Sequence, residues 1–142
     1  MPKLPVFAAA ALALLAGGAF ITAQAETMTF HATLSAKDEV PPKASDGKGT
    51  ATVTLDTATK TITYDVTYSG LTGPATMAHI HGPAAVGANA SVVVPLAPPA
   101  SPIKGTATVT DAQIADMEAG KYYVNVHTAA NPGGEIRGQL TK

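Results

Sequence analysis

The stretch TITYDVTYS, Thr61–Ser69, alternates without a break: Ile62, Tyr64, Val66 and Tyr68 on one parity, Thr61, Thr63, Asp65 and Thr67 on the other. Period two in β-branched and aromatic residues marks a strand with one buried face. Similar runs occupy residues 28–35, 49–55, 76–81, 91–96, 105–110, 122–128 and 135–140, separated by Gly, Pro and Asp turns. Eight short strands at this spacing predict an antiparallel sandwich or barrel. One segment departs from the pattern. Residues 110–113, Thr-Asp-Ala-Gln, fit a capping box, Ile114 and Met117 lie three apart, and Gly120 closes the segment. That predicts one short helix bridging two strands, with its apolar pair set against an end of the core. The heptapeptide KGTATVT occurs at residues 48–54 and again at 104–110, which hints at two related halves, as in paired Greek keys.

The chain opens with Lys3, an apolar run over residues 6–21, and Ala23-Gln24-Ala25 before Glu26. This is the layout of a signal peptide cleaved after Ala25, leaving a domain over residues 26–142 in the periplasm or outside the cell. The apolar run is short for a membrane span of about 20 residues, and no later segment could cross after cleavage. Nine Lys and Arg against ten Asp and Glu give no basic footprint for nucleic acid. The chain has no cysteine. A disulfide scaffold, a thiolate metal site and a lipidated cysteine are therefore excluded, and packing alone must hold the domain.

Two of the four histidines stand one residue apart in MAHIHGPA, residues 77–84. In a strand they share a face, with about 6.6 Å between their Cα atoms. Met77, His79 and His81 then lie opposite Ala78 and Ile80. In the strand expected over 122–128, Tyr123, Asn125 and His127 lie opposite Tyr122, Val124 and Val126. A sandwich buries its aliphatic face, so the three imidazoles should sit outward, within reach of solvent. Neutral imidazoles suit copper or zinc, and copper(II) outcompetes zinc at nitrogen sites. Met77 offers a soft thioether for copper(I) if it reaches, or is plain packing. The alternative for the histidines is a structural one, with the pair hydrogen-bonding loop backbone and His127 packed in a hairpin. His31, opposite Phe30, Ala32 and Leu34, is a fourth ligand or a solvent-facing strand histidine.

The segments FHATLSAKDEVPP, GTATVTLD, TITYDVTYSGLTG, AHIHGPAAVGANASVVVPL and TDAQIADMEAGKYYVNVHTAANPGGEIRGQL follow one another as in the CHRD domain. The sequence resembles that family, first described in chordin and common in exported bacterial proteins, over nearly all of residues 26–142. The resemblance implies an immunoglobulin-like Greek-key β-sandwich; a superoxide-dismutase-like barrel is the related arrangement. The expected fold class is thus all-β with one short helix. Cu,Zn superoxide dismutases also hold copper with a strand His-x-His and a later strand histidine, an analogy of fold and residue type that does not carry function.

Glu39, Glu135 and Arg137 also fall in the family motifs. Glu135 or Asn125 could orient a ligand imidazole from behind. The structural reading, which we favour, is a cross-strand polar ladder with Arg137 bridging a carboxylate such as Glu39. There is no G-x-S-x-G elbow, no phosphate loop and no HExxH. A dismutase would need a bridging histidine, a zinc site and a guiding arginine, and GPAAVGANAS after His81 offers no zinc loop. The sequence thus points to an exported, non-enzymatic domain binding copper through His79, His81 and His127 for storage, delivery or scavenging. An extracellular or periplasmic protein- or matrix-interaction module without metal is the alternative, and a superoxide-dismutase-like enzyme a minor third.

Overall fold

The structure, a computed structural model, describes residues 24–142. The leader expected over residues 1–25 falls, but for its last two residues, outside the described residues. Eight antiparallel strands form one sheet: β1 Thr27–Ser35, β2 Lys48–Asp56, β3 Thr61–Ser69, β4 Ala75–His81, β5 Val92–Pro95, β6 Ile103–Thr108, β7 Tyr123–Thr128 and β8 Ile136–Gln139. Their order is β5-β4-β7-β8-β1-β2-β3-β6. The β1-β2-β3 meander is fully laddered. By contrast β8 meets β1 through the single pair Ser35 and Arg137, helped by the bridge between His31 and Thr141. The sheet is therefore two four-stranded halves hinged at one seam and curled round a common core, a nearly closed barrel consistent with the expected Greek-key class.

The alternation in β3 has the predicted consequence. Ile62, Tyr64 and Val66 are buried, and they join Phe30, Leu34, Val53, Leu55, Ile80, Val124, Val126 and Ile136 in one cluster. The helix α1, Asp111–Glu118, starts at the predicted box, with Thr110 accepting from the Gln113 amide and Gln113 accepting from the Thr110 amide. Thr110 is thus used as a cap. For that reason β6 ends at Thr108 rather than at residue 110 as expected.

The repeated heptapeptide does not mark two equivalent halves. The first copy lies in β2 and the second runs from β6 to the cap of α1, and β2 and β6 are the two strands flanking β3. After the first copy the chain turns back into the neighbouring β3. After the second it passes through α1 to β7, which pairs instead with β4 and β8. This long-range pairing of β4 with β7 assembles the site. No helix among the described residues is long and apolar enough to cross a membrane.

Candidate metal centre

Ala78 and Ile80 point into the core, so Met77, His79 and His81 occupy the outer face of β4. In the ladder with β7, Met77 stands opposite His127, His79 opposite Asn125 and His81 opposite Tyr123. His79 and His127 are diagonal neighbours, a separation long side chains can bridge. The Nδ1 of His79 lies 3.0 Å from the Nε2 of His127. Ring centroids are 4.9 Å apart for His79 and His127, 5.3 Å for His79 and His81, and 6.2 Å for His81 and His127. One nitrogen from each ring lies within 4.8 Å of the other two.

Backbone carbonyls set the tautomers. The Nδ1 of His127 faces the Pro132 carbonyl at 2.9 Å and that of His81 faces the Ala90 carbonyl at 3.0 Å. A carbonyl only accepts, so both Nδ1 atoms carry the proton and both Nε2 atoms present a lone pair. The Nε2 of His81 is buried and has no hydrogen-bond partner among the described residues. Neutral imidazoles with an outer carbonyl on the distal nitrogen are the form in which histidine ligates metal. Burial lowers the pKa of His79, with His127 and His81 adding to the effect. Burial likewise lowers that of His81; the bond to Ala90 opposes this, while His127 and Arg137 reinforce it.

The outer face is less open than the sequence suggests. His127 is only 6% exposed, and all six residues of β7 are buried, which corrects the expectation of three solvent-reachable imidazoles. Loops cover the outer faces of β7 and β8 with a second, polar layer. Tyr123 stacks on His81 with ring centroids 4.9 Å apart, its hydroxyl accepts from the Ala90 amide at 3.0 Å, and the Arg137 guanidinium lies 3.5 Å over its ring.

The expected Arg137–Glu39 bridge is not formed. Arg137 donates to Asn89 Oδ1 and to the Ala88 carbonyl. Asn125, opposite Arg137 in the ladder, donates its amide to Glu39 instead. Gly134, at φ 122°, makes that contact feasible, since a Cβ there would collide with both the Asn125 amide and the Glu39 carboxylate. Burial raises the pKa of Glu39 to about 7, against smaller opposing effects from Arg137, the Val40 amide, Lys43 and Asn125.

Glu135 is completely buried but touches no imidazole. Its carboxylate accepts from Ser45 Oγ at 2.6 Å, from the Thr72 amide and hydroxyl at 2.8 and 2.7 Å, from Thr128 Oγ1 at 2.6 Å and from Asn131 Nδ2 at 3.3 Å. Burial alone would raise its pKa; the bonds from Ser45, Thr128 and Thr72 outweigh it and bring the value to about 2. Glu135 therefore pins the turn that carries Pro132. Neither Glu135 nor Asn125 orients an imidazole directly; the carbonyls of Pro132 and Ala90 do. Those carbonyls lie in loops that periodicity cannot place, whereas Tyr123 could have been found, since it shares its strand parity with Asn125 and His127. His31 is exposed on β1, beyond β8 from the cluster, with Thr52 as its side-chain partner at 3.3 Å.

The geometry defines an antiparallel Greek-key domain with a three-histidine cluster set across one strand pair and backed by a buried polar layer. Residues 30–140 match the CHRD domain model, and the chain belongs to that family. No curated protein and no solved structure matches the chain.

Proposed function

We propose that this CHRD-domain protein is exported and holds one copper ion among His79, His81 and His127, for storage, delivery or scavenging. The observation that supports this best is the approach of three imidazole nitrogens to within 4.8 Å of one another, with His81 Nε2 buried and unpartnered among the described residues. A lone pair in that position has lost water and gained nothing in exchange, a cost that a bound cation would relieve. Two nitrogens bonded tetrahedrally to one ion at about 2.0 Å lie about 3.3 Å apart. The 3.0 Å between His79 and His127 is close to that separation. Zinc fits the same donors less tightly than copper(II). Export rests on Lys3, the apolar residues 6–21 and the small residues before Glu26.

A second reading, an extracellular or periplasmic protein- or matrix-interaction module without metal, draws on the bonds from His81 to Ala90 and from His127 to Pro132. These would stiffen two loops with no ion present. Dismutase chemistry ranks below both, because the one arginine of the sequence, Arg137, is buried against Tyr123 and bonded to Asn89 and Ala88. Titration of the purified protein with copper(I), copper(II) and zinc, beside the His79→Ala variant, tests the proposal. One copper per chain in the parent and none in the variant supports it; equal uptake by both rejects it.

A further inference from the structure

We infer that Met77 is the fourth ligand and that its thioether makes the cluster a copper(I) site rather than a zinc site, an inference that rests on the three-histidine reading. A methionine on a strand ordinarily fills a core. Met77 does not: it is 47% exposed on the outer face of β4, so packing does not account for it. It stands directly across the ladder from His127 and two residues before His79 on the same face. It therefore adjoins both of the imidazoles whose nitrogens are 3.0 Å apart. Its three side-chain torsions let the sulfur reach over either neighbour.

The direction of opening agrees. At the His81 end, Tyr123 stacks on the ring and the Ala90 carbonyl occupies Nδ1. Beneath the cluster His127 is buried with its Nδ1 on Pro132. Met77 is more exposed than the half-buried His79 and His81, so the fourth coordination position falls at the methionine end.

The donor set then chooses the ion. Three imidazoles and a thioether are neutral, and the cluster includes no carboxylate. The cost of burying an ion grows with the square of its charge, so a monovalent cation costs about a quarter of what a divalent one does in the same neutral cage. Thioether sulfur also selects copper(I), whereas zinc takes imidazole, thiolate and carboxylate.

The test is anaerobic competition for copper(I) against a chromogenic chelator, with zinc affinity measured in parallel, for the parent and for Met77→Leu. Leucine preserves volume at a half-exposed site, so the variant keeps the fold. Loss of a ligand should cost no less than the about 10–100-fold that loss of an outer partner costs. Copper(I) affinity is expected to fall at least that far while zinc affinity is unchanged, and X-ray absorption should show a sulfur neighbour in the parent alone. Unchanged copper(I) affinity in the variant, with copper uptake still abolished by His79→Ala, overturns the thioether ligand and leaves the histidine site standing. A parent that binds copper in neither oxidation state overturns both.

Discussion

His79 Nδ1 and His127 Nε2 face each other at 3.0 Å across the β4–β7 pair, from positions 48 residues apart in the chain. Because His127 donates through Nδ1 to Pro132, its Nε2 is the acceptor and His79 carries the shared proton. A metal would replace that proton, with His79 shifting its hydrogen to Nε2. Replacing His79 with Ala is therefore expected to abolish copper uptake in a calorimetric titration. His31→Ala, across the sheet on β1, is expected to leave it unchanged; equal losses in the two variants would mean nonspecific binding by surface histidines.

The metal-free protein should depend on its core far more than on that pair. Val66 and Ile136 have no exposed surface, so Val66→Ala or Ile136→Ala should lower stability by about 1–4 kcal/mol in urea unfolding. His79→Ala, at a half-buried position on the outer face, should cost much less. A comparable loss at His79 would show that the outer layer is as tightly packed as the core.

Strand existence, strand parity and the helix cap were all legible in the sequence, because each is a local pattern: TITYDVTYS needs only its own alternation, and Thr110 only Gln113. Adjacency was not. That β4 meets β7, so that His79 reaches His127, depends on a pairing across the intervening β5, β6 and α1. The polar layer was hidden for the same reason. Parity correctly turned Asn125 and His127 away from the aliphatic core, but it cannot reveal that loops fold over them. Nor could residue type show that Asn125 would take Glu39 and leave Arg137 to the ring of Tyr123.

Glu39 gives stability an unusual slope near neutrality. Burial raises its pKa from 4.5 to about 7, so the folded state binds a proton that the unfolded state has released. The contribution of Glu39 to stability should therefore fall as pH rises from 4.5 through about 7. Glu39→Gln keeps an acceptor for Asn125 and removes the titration. Chemical unfolding at a series of pH values should show the parent losing stability relative to the variant as pH rises from 4.5 through about 7; a constant difference between the two would assign the slope to another group.

Glu135 acts in the opposite window. Its pKa is lowered from 4.5 to about 2, so its stabilisation is complete above 4.5 and is lost as pH falls towards 2. In Glu135→Gln an amide must face donors from Ser45, Thr72, Thr128 and Asn131. The variant should be less stable at neutral pH and should lack this acid-dependent loss, as read from unfolding midpoints. An unchanged neutral stability would mean that the five hydrogen bonds are not maintained in solution.

Copper uptake should persist further into acid than free histidine suggests. A ligating imidazole must be neutral, and protons compete only below its pKa. Burial, with the neighbouring imidazoles, holds His79 below the ordinary 6.5, and burial does the same for His81. Proton competition at His79 and His81 should therefore set in at lower pH than at a free imidazole. The same shifts withdraw the contribution of His79 and His81 to the metal-free fold as pH drops under 6.5, where the unfolded chain takes up protons first, opposite in sign to Glu39. Bound copper should add heat stability above that range, and the increment should vanish as the ion is displaced. Thermal melts with and without one equivalent of copper across this pH range check both parts. A copper increment that collapses at about pH 6.5, where free imidazole takes up its proton, would place the ion on exposed histidine and away from this cluster.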